Sequence, residues 1–155
     1  MPAEKNKNKG FTIVEVLVVL AVASMIASFV MVSIRESRMK SRDTNREQNI
    51  KQIQNALALY AASVGGNFPQ CGSEVLIGSP AADTCFNNPL HDYFQAGVPI
   101  DPLLGITGTC GGANSYGYCY IAPDLTNNRA YGLRYALEGS SISHKSAGWQ
   151  TPVGP

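Results

Sequence analysis

Residues 10–34 read GFTIVEVLVVLAVASMIASFVMVSI, and this apolar stretch predicts the first and longest element of the fold. After Gly10 it contains neither Gly nor Pro, so no residue in it breaks a helix. A helix of about 20 apolar residues crosses a bilayer, and residues 11–34 are long enough to do so. We therefore predict a transmembrane helix over 11–34.

Glu15 is the one charged residue of that helix. A carboxylate within an apolar helix costs about 2.5–3.5 kcal/mol on membrane-insertion scales. The apolar run holds no Lys, Arg or His to pair with it, so we expect its partner to come from elsewhere. Cleavage after Gly10 would create an α-amine at Phe11. Because desolvation offsets much of the attraction, such a pair supplies register more than stability.

The sequence Lys9-Gly10-Phe11-Thr12-Ile13-Val14-Glu15, followed by the apolar helix, resembles the processing site of type IV pilins and type II secretion pseudopilins. The resemblance implies that a prepilin peptidase cuts after Gly10 on the cytoplasmic side. Phe11 would then be the N-methylated mature N-terminus, and Glu15 would pair with the N-terminus of a neighbouring subunit during assembly. Many members carry a helix-breaking Gly and Pro where this chain has Ser24 and Val32. We therefore expect the helix to stay continuous in a filament.

Two other interpretations of the N-terminus are open. The Lys-rich leader and Ala21-Val22-Ala23 resemble a secretory signal with an A-x-A cleavage site, which would leave Ser24 as the mature N-terminus. Against this, the apolar run continues to Ile34 and Glu15 interrupts it. The second interpretation is that residues 11–34 are a plain single-pass membrane anchor. Five Lys/Arg residues follow the span between 35 and 46 against three before it, which weakly favours the reverse orientation.

Charge is distributed in zones although the net charge is only +1, which gives no bulk electrostatic reason to expect nucleic acid as a partner. Residues 35–64 carry six basic and three acidic side chains, a net +3, and residues 65–155 carry three and six, a net −3. We interpret its first part, residues 35–49, as a solvated helix. In a filament it could also contact the acidic heads of neighbours. DNA binding is disfavoured because no aromatic residues are interleaved with the basic ones.

The helix is predicted to continue through an amphipathic stem, residues 35–64. Its apolar stripe recurs at steps of three and four residues and consists of Ile50, Ile53, Leu57, Tyr60 and Val64. Gly65-Gly66 is a good helix end. From Phe11 to Val64 such a helix would be about 80 Å long, so its first half must be covered by lipid or by other copies. We expect the stripe to be core, with no cofactor role.

A globular head is predicted over residues 65–155. It contains all four cysteines, Cys71, Cys85, Cys110 and Cys119, which indicates two disulfides in an oxidising compartment. Three connectivities are possible; we favour Cys71–Cys85 with Cys110–Cys119 because sequential pairing closes two short loops, and reduced thiols are the alternative. Strands are predicted at 116–121 and 130–138, with a helical turn at 91–94, and residues 139–155 form either one more strand around Trp149 or a tail. The order of these pieces also resembles the head of the major pseudopilin.

Catalytic and metal-binding chemistry finds little support. His91-Asp92 lacks further ligands for a metallohydrolase, and a Cys85–His91 nucleophile would compete with the disulfide. Related heads often bind calcium in a late loop, but the late loops here offer only Asp124 and Glu138. We therefore expect no enzymatic activity, no metal and no cofactor, with calcium the least disfavoured ligand.

These observations predict an α+β fold, with the long helix packed on a small antiparallel sheet. Residues 1–10 would be a leader removed on maturation. The resemblance implies a pilin of a type IV pilus-like filament, single-pass in the cytoplasmic membrane as precursor and extracellular once assembled. Its partners would be other copies of itself, the prepilin peptidase and a membrane assembly platform. The alternatives are a major pseudopilin of a secretion or competence system and a membrane-anchored binding module.

Overall fold

The computed structural model describes residues 10–103, 110–111, 116–122, 129–139 and 148–151. The chain divides into two units, residues 1–37 and residues 38–155. A single helix, α1 (Ile13–Ser63), begins in the first unit and ends in the second. The predicted α+β fold is confirmed by this helix together with the antiparallel sheet of the second unit.

The second half of α1 contributes one face to the core of the second unit. Its buried residues are Asp43, Arg46, Ile50, Ile53, Ala56, Leu57 and Ala61. Ile50, Ile53 and Leu57 of the predicted stripe are confirmed as core, and Tyr60 is partly buried. The prediction for Val64 is wrong, because α1 ends at Ser63 and Val64 lies beyond it with an exposed fraction of 41%.

Gly65 and Gly66 end α1 as the sequence predicts. The Gly66 N–H donates to the Ala61 carbonyl at 2.7 Å, which is the long bond of a Schellman motif. Gly65 occupies the left-handed position of that motif with φ of 81°. A residue with a Cβ is disfavoured at such a φ, so the Gly pair fixes the point at which the chain leaves the helix.

The sheet has four antiparallel strands in the order β1-β2-β3-β4. They are β1 (Val75–Leu76), β2 (Tyr118–Ile121), β3 (Gly132–Leu137) and β4 (Gly148–Gln150). The central pair aligns Tyr118 with Tyr135 and Ile121 with Gly132. The strands predicted at 116–121, at 130–138 and around Trp149 are therefore present, the first two with narrower bounds.

Residues 80–93 form consecutive short helical turns between β1 and the rest of the sheet. These are α2 (Pro80–Ala82), a π-helix (Asp83–Asn87), α3 (Asn88–Leu90) and a 3-10 helix (His91–Tyr93). The buried Phe86 packs against Tyr120 with ring centroids 4.6 Å apart. At the other end, the Tyr93 hydroxyl bonds to the Ser63 hydroxyl at 2.7 Å. The turn predicted at 91–94 is thus part of a longer helical segment that contacts the end of α1.

Both disulfides follow the sequential pairing that the sequence favoured, Cys71–Cys85 and Cys110–Cys119. The first ties the chain that follows α1 to the π-helix, and the second ties β2 to the segment before it. Residues 124–128 are rich in Asp and Asn, which predicts a turn, but they lie outside the described residues, as do the leader residues 1–9.

Candidate functional site: the N-terminal segment and the buried ion cluster

The start of α1 is fixed by a reciprocal pair of contacts between Thr12 and Glu15. Thr12 precedes the first helical residue, and its Oγ1 accepts a hydrogen bond from the Glu15 N–H at 3.3 Å. In return, Glu15 Oε2 accepts from both the Thr12 N–H and the Thr12 hydroxyl, each at 3.3 Å. This is a capping box, which satisfies N–H groups that have no partner inside the helix.

The capping box adds a contact within the chain to the expectation that the charge of Glu15 is paired from elsewhere, which stays a prediction. Its carboxylate is held by two donors of Thr12, although no cation contacts it among the described residues. Both bonds lie at the long end of the hydrogen-bond range, and the pair is exposed. The pattern Thr-x-x-Glu before an apolar run is a readable helix-start signal. It was missed because the charge of Glu15 was considered without the hydroxyl three residues before it.

The apolar part of α1 presents its whole circumference to the surroundings. Every residue from Gly10 to Arg38 is exposed, and Phe11 and Phe29 have exposed fractions of 85% and 79%. α1 is long and apolar enough to cross a membrane. Lipid or other protein must cover such a surface, since water disfavours it.

The serines of this segment do not break its apolar character. Ser24 donates to the Leu20 carbonyl at 2.8 Å, and Ser28 donates to the Ser24 carbonyl at 3.0 Å. A hydroxyl bonded inside its own helix needs no partner from the surroundings. α1 runs through Ser24 and Val32 without interruption, as expected where no Gly or Pro is present.

A cluster of charged side chains lies inside the second unit, centred on Arg46. Arg46 is fully buried, and its Nε and Nη2 donate to the two oxygens of Asp101 at 2.6 and 3.0 Å. Its Nη1 donates to Asp43 Oδ1 and to Glu138 Oε1, both at 2.6 Å. The guanidinium also lies over the ring of Tyr116, 4.9 Å from the centroid. One cation thus joins α1 to two distant parts of the head.

Backbone N–H groups and a second arginine complete this cluster. Asp43 accepts from the N–H groups of Glu138 and Gly139 at 3.0 and 2.8 Å. Arg42, at the rim, forms a two-bond pair with Glu138 at 2.8 and 2.6 Å. A buried carboxylate is costly unless it is paired and hydrogen-bonded, and these contacts supply both conditions. We call the five side chains Arg42, Asp43, Arg46, Asp101 and Glu138 the ion cluster.

The electrostatics of the ion cluster favour the charged forms of Glu138 and Arg46. The hydrogen bond from Arg42 is the main cause that lowers the pKa of Glu138, and Arg46 adds to it against the effect of burial. Burial by itself would lower the pKa of Arg46, but the bonds to Asp101, Glu138 and Asp43 outweigh it and raise the pKa. Nearby, burial raises the pKa of Tyr118 to about 12. Glu138 and Arg46 therefore stay ionised near neutral pH.

The ion cluster also corrects the interpretation of residues 35–49 as a helix solvated on all sides. Arg42 and Arg46 form ion pairs with Glu138 and Asp101 of the same chain. Part of the positive charge of residues 35–64 and part of the negative charge of residues 65–155 therefore neutralise each other within one subunit. A signal existed in the sequence: Asp43 and Arg46 continue the three-and-four spacing of Ile50, Ile53 and Leu57 toward the N-terminus.

Three groups of side chains were candidates for binding a metal ion, and their members lie among the described residues except for Asp124. Glu74, Cys110 and Cys119 lie close together, but both sulfurs belong to a disulfide and are not available as thiolate ligands. Of the two acidic residues considered for calcium, Glu138 is bonded to Arg42 and Arg46, and Asp124 lies outside the described residues. His91 and Asp92 are exposed, and His91 Nδ1 lies 3.4 Å from Asp92 Oδ1.

The exposed apolar part of α1, which is capped by Thr12, and the disulfide-containing head fit a membrane-anchored precursor. Residues 5–31 match the model of the family described as the prokaryotic N-terminal methylation motif. The chain therefore carries the signature of type IV pilin and pseudopilin precursors, the substrates of prepilin peptidase. Proteins with this signature are structural subunits rather than enzymes. The searches of curated proteins and of solved structures found no match.

Proposed function

We propose that the chain is a structural subunit of a type IV pilus-like extracellular filament. It is cleaved between Gly10 and Phe11, N-methylated at Phe11, and assembled through packing of α1 against α1 of other copies. The observation that carries the proposal is the uncovered apolar surface of residues 11–34, most of which lies within the matched motif.

The amount of uncovered apolar surface explains why assembly and membrane are the two destinations of this segment. A large apolar side chain gains about 1.5–3 kcal/mol when it leaves water. The exposed ones from Phe11 to Ile34 include five Ile or Leu residues besides many Val, Met and Phe. The summed penalty in water is far larger than the stability of a typical domain. The segment therefore exchanges lipid for neighbouring helices without passing through water.

The capping box suits Glu15 to the assembly role that the family resemblance implies. Its two bonds to Thr12 are long, and the carboxylate is exposed. A neighbour's ammonium at Phe11 would be a charged donor, and such bonds are shorter and stronger than neutral ones. The Thr12 hydroxyl can go on accepting from the Glu15 N–H while the carboxylate turns to the neighbour. The start of α1 thus stays capped during the exchange.

Three variants test this role in cells that hold the processing and assembly machinery. Glu15→Ala removes the charge and the Glu15 half of the capping box, whereas Glu15→Gln keeps a capping side chain without the charge. We expect both to be processed normally and to leave few filaments in the sheared surface fraction. Glu36→Ala, which removes another exposed carboxylate of α1, is the matched control and should assemble as the parent chain does. Normal filaments from Glu15→Ala would refute the proposed role.

The N-terminus of the mature protein separates this proposal from a secreted protein. Mass spectrometry should find a methylated Phe11, whereas an N-terminus at Ser24 would indicate an ordinary signal peptide. The matched motif is shared by pseudopilins, so a pseudopilin of a secretion or competence system is the alternative. Electron microscopy of sheared material, with mass spectrometry for this chain, distinguishes a surface pilus from a short periplasmic filament. A membrane protein that never assembles would instead be an anchored binding module.

A further inference from the structure

The internal ion pairs leave a sharply divided set of surface charges in the second unit. Between Gln52 and Asn128 the sequence contains no Lys and no Arg. The acidic residues of that interval include Glu74 and Asp101, which pair with Arg134 and Arg46. Asp83 and Asp92 remain exposed, and neither pairs with a Lys or Arg among the described residues. The side chain of Asp92 is 96% exposed.

The complementary charge lies on one flank of α1. Lys40 and Lys51 are exposed, and no ion pair joins either of them to another described residue. They are about three turns apart, so they lie on the same side of the helix roughly 16 Å from one another. This flank is distinct from the face that Arg46, Ile50 and Leu57 bury. The exposed flank comprises Lys40, Thr44, Lys51, Asn55, Ala58 and Ala62.

We propose that this exposed flank of α1 receives the acidic helical segment, residues 80–93, of a second copy of the chain. The proposal rests on the filament function proposed above and names the surface that joins neighbouring heads and stems. Lys40 and Lys51 meet the charge of Asp83 and Asp92. Ala58 and Ala62 at the other end of the flank allow a neighbour to approach closely.

A second copy fits this surface better than another kind of partner for two reasons. Both charged surfaces belong to the same chain, so every copy in an assembly offers both of them. A contact between two different surfaces of one chain is heterologous, and heterologous contacts that do not close into a ring generate helical filaments. The contact therefore propagates in the way that the proposed filament requires.

Charge reversal on each side tests the contact in the full-length chain produced with its assembly machinery. One variant carries Lys40→Glu and Lys51→Glu, a second carries Asp83→Lys and Asp92→Lys, and a third carries all four changes. An exposed pair contributes less than about 1 kcal/mol, but reversal replaces two attractions by two repulsions. We expect each two-site variant to lower the amount of sheared filament by roughly tenfold or more, and the four-site variant to recover most of it. Arg129→Glu, an exposed basic residue outside the flank, is the control and should assemble normally.

The readouts separate this contact from the filament function and from misfolding. The level of processed, disulfide-bonded subunit should equal that of the parent chain in every variant. Recovery in the four-site variant supports the contact. Parent-level filaments from both two-site variants, or loss that the four-site variant does not recover, would overturn it while leaving the filament function standing. Absence of filaments from the parent chain itself would overturn both.

Discussion

Replacement of Arg46 by Ala is the perturbation whose effect the structure defines most closely. The change removes four hydrogen bonds and leaves Asp43, Asp101 and Glu138 near one another without their central cation. Removing one partner of a buried ion pair costs about 3–5 kcal/mol, because the remaining charge is uncompensated. The whole stability of a domain is only about 5–15 kcal/mol. We therefore expect Arg46→Ala to lose a fifth or more of the free energy of unfolding.

Urea unfolding of the full-length protein in detergent measures this loss. Near-ultraviolet circular dichroism reports on the head, because its buried tyrosines include Tyr118, Tyr120 and Tyr135. Arg42→Ala is the matched control, since Arg42 lies at the rim with 30% of its side chain exposed and Glu138 keeps its bond to Arg46. That control should cost no more than about 1 kcal/mol. Arg46→Lys keeps the charge without the two-bond contact to Asp101, so its stability should fall between the two.

The comparison with Arg42→Ala decides whether the reasoning is correct. Equal unfolding midpoints for Arg46→Ala and Arg42→Ala would refute it, because burial of the cation would then make no difference. A changed slope of the urea transition would show instead that the variant alters the compactness of one of the two states.

Three further outcomes follow from the head. The pKa of Glu138 is lowered in the folded state, so its stabilising effect is present above its unfolded pKa of about 4.3 and is lost as the pH falls through the folded value. Urea midpoints should therefore drop on acidification, and Glu138→Gln should flatten that dependence. Tyr120→Phe leaves the Pro69 carbonyl without its 2.7 Å bond and should cost about 1–3 kcal/mol in the same assay. Serine at both Cys71 and Cys85 should cost about 2–4 kcal/mol, measured under non-reducing conditions against the parent chain.

Much of the fold can be predicted from the sequence because local patterns determine it. The absence of Gly and Pro between Phe11 and Val64 predicts one helix, and Gly65-Gly66 predicts its end. Alternation around Tyr118 predicts a strand. Each of these signals depends on backbone conformation or on side-chain period within a few residues. Such properties are determined before any tertiary contact forms.

The ion cluster could not be predicted in the same way, because its partners are far apart in the chain. Arg46 meets Asp101 and Glu138 across 55 and 92 residues. An apolar pattern cannot report a buried arginine whose burial depends on carboxylates that distant. At the N-terminus the motif made Gly10, Phe11 and Glu15 the candidate residues. The supporting contact between Thr12 and Glu15 joins residues only three positions apart. The Thr-x-x-Glu pattern therefore predicts it, although the charge of Glu15 by itself does not.

Arg46 bonds to residues that lie 55 and 92 positions later in the chain, so the ion cluster can form only after residues up to Glu138 have been synthesised. During synthesis α1 emerges first, and at that stage Arg46 has only Asp43 beside it on the helix. Asp101 and Glu138 come much later, and closing such long loops carries an entropic cost that only the finished contact offsets. A chain interrupted before Glu138 retains an apolar helix that enters the membrane, yet its stem has no partner to hold a head in place. In the proposed filament, truncated chains would thus be left behind in the bilayer, and only finished chains would present a complete head for assembly.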